Sequence, residues 1–177
     1  SWPVLGEYDV DSTITGILEY HGEALVWTKN STYIARGSAY DDINISKIPD
    51  RQGLPLANKD SVIEIQGAVF WISNDGICMY ANGQISVISQ SAFEQFPSLT
   101  GIKAGAKDNI MYFFTSSGQG VACDLRSGSP SFSRITENVD KRVYYSQLDD
   151  RLYLTKTSGS GAYGDGVDKS LSFKTRA

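Results

Sequence analysis

The chain carries one histidine, two cysteines and two methionines among 177 residues. A single imidazole, His21, excludes a multi-histidine metal centre. Two thiols, Cys78 and Cys123, exclude the disulfide framework of a small secreted domain. No apolar run approaches the roughly 18–20 residues of a membrane helix. Sixteen Lys and Arg against twenty Asp and Glu leave a net charge of −4, so the basic footprint of a nucleic-acid binder is absent. A polybasic membrane anchor is absent too. No serine sits in a G-x-S-x-G elbow, which removes support for a hydrolase triad. The opening Ser1-Trp2-Pro3 has no Met, no basic leader and no apolar h-region; the expectation is a processed piece of a longer chain. No long amphipathic helix and no interdomain linker is visible, so residues 1–177 read as one domain.

Aromatic residues and glycine are plentiful, and that combination leans toward strands and turns. The decisive feature is an internal repeat. Ala24-Leu25-Val26-Trp27 aligns without a gap on Ala68-Val69-Phe70-Trp71, and further copies start at Ile110 and Leu152. The starts at 24, 68, 110 and 152 lie 44, 42 and 42 residues apart. A period of about 40–50 residues built from short strands is the signature of propeller blades with four strands each. The predicted strands are 14–20, 24–28, 32–35 and 43–48; 62–66, 69–73, 76–80 and 85–89; 102–106, 110–115, 120–125 and 131–135; 143–148, 152–157, 162–164 and 171–174. Gly67, Asn74-Asp75-Gly76 and Asn82-Gly83 mark the joints, because these residues accept positive φ at low cost. The fold class expected is all-β, a β-propeller-like array of about four four-stranded antiparallel blades, closed or part of a larger propeller. The blades span about 13–50, 61–90, 101–136 and 141–176. A β-sandwich has strands at similar spacing, but the four-fold alignment favours blades. Tyr8–Val10 has no partner in the first unit and reads as an outer strand of a preceding blade or a ring-closing strand. Phe93 and Phe96 suit a short helix within 90–99.

Candidate chemistry is sparse. Gly159-Ser160-Gly161-Ala162-Tyr163-Gly164 matches G-x-G-x-x-G, but a turn follows it rather than the helix that a dinucleotide site needs; it reads as a hairpin loop. Asp165 and Asp168 in that region lack the EF-hand spacing. Ser73-Asn74-Asp75-Gly76 is similar to part of the Asp-box turn of sialidase-type propellers without completing it. His21 reads as a turn residue beside Gly22. The pairs Asp41-Asp42 and Asp149-Asp150 are adjacent, so on a strand they would point to opposite faces rather than converge on one sugar. Cys78 and Cys123 fall on third strands as small buried hydrophobes. Asn30-Ser31-Thr32 and Asn44-Ile45-Ser46 are glycosylation sequons that matter only in a secretory pathway. Trp27, Trp71 and Phe113 align at one repeat position, either as packing between blades or as a sugar-stacking platform. The inner strands hold only Glu64 and Lys103, with Lys141-Arg142 opening the last, whereas an enzyme propeller needs charged groups converging on its axis. The expectation is no catalysis, no cofactor and no metal. Length and polarity beyond a blade's needs place possible interaction residues at Arg51, Gln52 and Asn58 in the loop 50–60, and at Tyr163, Asp165 and Asp168 in the loop 159–169.

Taken together, several segments resemble a family of bacteriophage tail structural proteins of the β-propeller type, the nozzle and head-to-tail proteins of short-tailed phages. They are Trp2-Pro3, Glu7-Tyr8 and Ile14-Thr15-Gly16-Ile17; Thr28-Lys29-Asn30-Ser31-Thr32-Tyr33-Ile34 with Gly37-Ser38; Phe70-Trp71-Ile72-Ser73-Asn74-Asp75-Gly76 with Gly83-Gln84-Ile85; Arg151-Leu152-Tyr153-Leu154; and Ser172-Phe173-Lys174-Thr175. The resemblance implies a virion structural part without catalysis, made in the bacterial host cytoplasm and located in the tail. It implies other tail or head-to-tail proteins as partners and a homo-oligomeric ring in the full-length protein. DNA would pass without being specifically bound, which suits an acidic balance, and no membrane would be involved. A lectin-like or receptor-binding propeller is the alternative.

Overall fold

A computed structural model describes residues 8–37, 42–49, 54–89 and 101–157, and the backbone of 159–163. The chain is all-β: four antiparallel sheets, each a simple meander, follow one another along the sequence. Sheet 1 holds β1 (Ile14–Tyr20), β2 (Glu23–Thr28), β3 (Thr32–Arg36) and β4 (Asn44–Lys47). Sheet 2 holds β5 (Ile63–Ile65), β6 (Ala68–Ser73), β7 (Gly76–Ala81) and β8 (Gln84–Val87). Sheet 3 holds β9 (Lys103–Lys107), β10 (Ile110–Phe114), β11 (Gly120–Asp124) and β12 (Ser131–Ile135). Sheet 4 holds β13 (Arg142–Ser146), β14 (Arg151–Lys156) and β15 (Gly159–Tyr163). The expected strand 171–174 and the segment 90–99 lie outside the described residues. Gly159–Tyr163, read as a hairpin loop with a strand expected only at 162–164, is a strand throughout, paired residue by residue with Leu152–Lys156.

Local chemistry sets the turns. Four two-residue hairpins carry positive φ at both central positions: His21-Gly22, Gln66-Gly67, Asn82-Gly83 and Asp108-Asn109. That is the geometry whose twist matches flanking strands. Gly67 and Gly83 suit it because they lack a Cβ.

The core lies between sheets. Leu25 and Trp27 of sheet 1 meet Val69, Trp71, Cys78 and Tyr80 of sheet 2. Phe70, Ile72 and Ile77 of sheet 2 meet Met111, Phe113 and Cys123 of sheet 3. Phe114, Ala122 and Ile135 of sheet 3 meet Leu152 and Leu154 of sheet 4. Each interior sheet thus buries both faces, as stacked blades do. Among the described residues no core cluster joins sheet 1 to sheet 4. Close approach needs small residues on the first strands: a Cβ on Gly105 of β9 would run into the Val143 side chain and lie 3.1 Å from Leu152 Cδ1.

One expectation needs correcting. Trp71 and Phe113 point toward the preceding sheet, but Trp27 points toward the following one. Counted from the hairpins, where Tyr20 pairs with Glu23, Ile65 with Ala68 and Lys107 with Ile110, Trp27 corresponds to Ile72 and Phe114. Val26 is the counterpart of Trp71. The Trp-on-Trp alignment is one residue out of step, and a one-residue slip exchanges the faces of a strand.

The loop ahead of sheet 2 is also less free than its polarity implied. Leu54 and Leu56 are buried in the first core. The Leu54 carbonyl accepts from Thr32 Oγ1 and from Trp71 Nε1, each at 3.0 Å, tying sheet 1 to sheet 2.

Candidate functional site

The hairpin ends of sheets 1 and 2 enclose a cleft of about 560 Å³ lined by Tyr20, His21, Glu23, Arg36, Gly67, Tyr80, Asn82 and Gly83. Strand alternation builds it. Tyr20 ends β1, the next two residues make the turn, and Glu23 opens β2. Ala24 pairs with Ala35, which sets Arg36 beside Glu23 across the β2–β3 ladder. Tyr80 rises from β7 of sheet 2.

The polar groups form one network. Arg36 Nε donates to Glu23 Oε1 at 2.5 Å, and the Tyr80 hydroxyl reaches Glu23 Oε2 at 3.5 Å. The Tyr20 hydroxyl donates to the Gly67 carbonyl. The hydrogen bond to Glu23, with its charge, holds the Arg36 guanidinium above its ordinary pKa. Burial, reinforced by the Glu23 carboxylate, pushes the Tyr80 phenol up. The His21 ring stands edge-on to Tyr20 at 4.3 Å, and Tyr20 edge-on to Tyr80 at 5.9 Å. The cleft offers one acceptor carboxylate, one guanidinium, an imidazole and aromatic edges. Its lining residues include no Ser, Cys or Lys and no second carboxylate. This chemistry binds and orients polar groups.

A second cluster sits at the hairpin ends of sheets 3 and 4. Lys107 Nζ lies 3.5 Å from carboxylate oxygens of both Asp108 and Asp150. Tyr145 donates to Asp150 at 2.6 Å, and Tyr153 donates to Asp149. The Tyr145 hydrogen bond holds the Asp150 carboxyl below the usual range, and hydrogen bonds from Ser146 and then Tyr153 hold the Asp149 carboxyl below it. Asp149 and Asp150 therefore lie in the β13–β14 turn and serve separate tyrosines.

The residues singled out from sequence fall elsewhere. Asn58 Oδ1 accepts from the Asp60 amide at 2.9 Å and caps the short 3-10 turn Lys59–Ser61. Tyr163 ends β15. Arg51, Gln52, Asp165 and Asp168 lie outside the described residues. Cys78 and Cys123 are buried on third strands, as expected. Trp27 and Trp71 are 1% and 0% exposed, which removes them as a sugar platform. Tyr8–Val10 adds no strand; Asp11 binds this segment across sheet 1 through Thr28, Ser31 and Lys47. Sequence reasoning set His21 aside as a turn residue and did not weigh Glu23 or Arg36. Among the described residues no group of His, Cys, Asp and Glu could hold a metal ion. Among the described residues no helix is long and apolar enough to cross a membrane.

No protein-family description and no curated protein matches the chain. Solved structures do. One is the extracellular domain of a hybrid two component system from B. thetaiotaomicron, at 11% identity and TM-score 0.54 over 86% of this chain and 20% of that one. Another is the extracellular domain of a one component system from the same organism, at 13% identity and TM-score 0.63 over 97% of this chain and 23% of that one. A third is the WD40 domain of Neurospora crassa Pan2, at 9% identity and TM-score 0.54 over 90% of this chain and 48% of that one. At such identities the likeness is one of fold, and it places the array among β-propellers. The chain spans about a fifth of the bacterial domains and about half of the WD40 domain.

Proposed function

We propose that the chain is a non-enzymatic structural segment of a β-propeller, and that its setting is the tail of a bacteriophage. The observation that carries the structural half is the burial of Trp27 and Trp71 against each other, centroids 5.5 Å apart. The repeat's largest side chains are spent on joining sheets, and the inner strands hold Lys103 in an ion pair with Asp60. The tail setting rests on the sequence resemblance. In it the chain contacts other tail or head-to-tail proteins, and DNA passes an acidic surface that gives phosphate little to hold. Mass spectrometry of phage particles from an induced culture of the encoding organism tests this. Peptides of this chain in clean particles are expected; their absence would overturn the tail setting. Retention on duplex DNA at physiological salt would overturn the account of DNA passage.

The Tyr20–Arg36 cleft favours a second reading, a propeller that holds a polar ligand such as a glycan. The extracellular domains among the structural neighbours add to it. Binding on a glycan array that is lost in Glu23→Gln and Arg36→Ala would support that reading over the first.

A further inference from the structure

Glu23 and Arg36 stand where the repeat, at its next interface, puts apolar side chains. Counted from the hairpins, Tyr20, Glu23, Arg36 and Tyr80 between sheets 1 and 2 correspond to Ile65, Ala68, Ala81 and Cys123 between sheets 2 and 3. Those four belong to the second core. The stacking of sheets therefore does not call for charge at this height. Sheet 1 nevertheless supplies a carboxylate and a guanidinium there, and an open cleft takes the place of packed side chains. Its volume of about 560 Å³ falls within the roughly 300–1,000 Å³ of small-molecule sites.

The two charges are fixed in place but not used up. Arg36 Nε donates to Glu23 Oε1 at 2.5 Å, and the hydroxyl of buried Tyr80 donates to Oε2 at 3.5 Å. Each carboxylate oxygen keeps a second lone pair, and the guanidinium has five N–H donors, of which Nε is one. Even with the Tyr80 oxygen as a further acceptor, donors remain. The Arg36 side chain is 52% exposed and that of Glu23 31%, so a ligand can reach both. Arg36 Nη2 lies 4.0 Å from where a Cβ on Gly83 would stand; a glycine in the β7–β8 turn keeps side-chain atoms away from the guanidinium.

Charge balance says which ligand fits. An anion drawn to Arg36 comes to lie beside Glu23, and a cation drawn to Glu23 lies beside Arg36, so attraction and repulsion largely cancel. A hydroxyl meets no such repulsion. It both donates and accepts, and hydrogen bonds to ionised partners are the stronger kind. Two hydroxyls on neighbouring carbons can accept from the guanidinium and donate to the carboxylate at the same time. The geometry points to a neutral vicinal diol, of the kind an uncharged sugar ring presents, as the ligand of this cleft, held between Arg36 and Glu23. This inference rests on the second reading above, that the cleft holds a polar ligand, and adds the charge class of that ligand.

Ligand-observed NMR titration of the 177-residue chain at pH 7 tests it. The probes are glucose, galactose and mannose, each with its uronate and its 2-amino counterpart. At least one neutral sugar is expected to bind about fivefold tighter than both of its charged counterparts, the worth of one exposed charge pair. Substitutions that unbalance the cleft should move the preference in opposite directions, with unchanged far-UV circular dichroism. Glu23→Gln leaves the guanidinium alone and should favour the uronate. Arg36→Ala leaves the carboxylate alone and should favour the amino sugar. A wild-type chain that prefers a charged counterpart would overturn the neutral class while leaving the cleft as a ligand site. Binding indifferent to both substitutions would overturn the cleft as the place of binding. A preference that moves the same way in both variants would overturn the charge balance. No binding of any of these probes would overturn the inference, and the glycan array then decides separately on the reading beneath it.

Discussion

Trp27 and Trp71 touch edge to face in one core, yet their indole N–H groups differ. Trp71 Nε1 donates to the Leu54 carbonyl at 3.0 Å, whereas Trp27 Nε1 is buried with no hydrogen-bond partner in the protein. Replacing either by phenylalanine removes similar volume and the same ring contact, so those costs are shared. The polar terms have opposite sign. Trp71→Phe loses a buried hydrogen bond with a net value of about 1 kcal/mol. Leu54 keeps the Thr32 hydroxyl at 3.0 Å, so no acceptor is orphaned. Trp27→Phe removes a desolvated donor that costs about 1–3 kcal/mol to bury. Trp71→Phe should therefore be the more destabilising of the two by roughly 2–4 kcal/mol. In a chain of this size that corresponds to a gap of about 4–16 °C in melting temperature, at about 2–4 °C per kcal/mol. Urea unfolding followed by circular dichroism measures it without relying on tryptophan emission. Equal losses, or a larger loss for Trp27→Phe, would refute the reasoning.

Three further outcomes are expected. The Ser31, Thr28 and Lys47 contacts hold the Asp11 carboxyl well below the usual carboxylate range; a depressed folded value means stability that is present above the unfolded pKa near 4 and lost as pH falls through the folded one. Asp11→Asn should be less stable than wild type at pH 7 and should flatten the loss below pH 4 in pH-dependent unfolding curves. Burial, with the neighbouring Asp124 charge, pushes the Cys123 thiol up to about 12, and Cys78 is equally enclosed; neither thiol should react with a disulfide reagent in the native state, and both should react on unfolding. Gly105→Ala should cost about 1–3 kcal/mol by overpacking against Val143 and Leu152, read as a lower melting temperature.

The strand pattern was largely legible because turns announce themselves locally. Asn82-Gly83 and Asn74-Asp75-Gly76 bracket β7 from sequence alone, and predicted and observed bounds of β1 and β12 coincide. Most other bounds moved by a residue or two, in places because a polar residue continues the ladder, as Arg36 and Lys107 do, and the start of β15 moved by three. The face assignments of sheets 1 and 4 were not legible in the same way. Identity of letters put Trp27 on Trp71, but a ladder is registered by its hairpin, and the fourth hairpin has four residues between Ser146 and Arg151 where the others have two. Only the end of the Gly159–Tyr163 strand was foreseen, at 162–164, because its glycines carry no period-2 signal; pairing with Leu152–Lys156 supplies what propensity does not.

The cleft was hidden for a different reason. Its members are unremarkable one by one: a turn histidine, a strand-opening glutamate, a strand-closing arginine and a tyrosine 57 residues beyond the glutamate. Glu23 and Arg36 become neighbours only through the Ala24–Ala35 register, and Tyr80 joins them only because sheet 2 stacks on sheet 1. A sequence scan tests residues at fixed spacing, whereas stacked sheets create sites from residues at equal height on different strands.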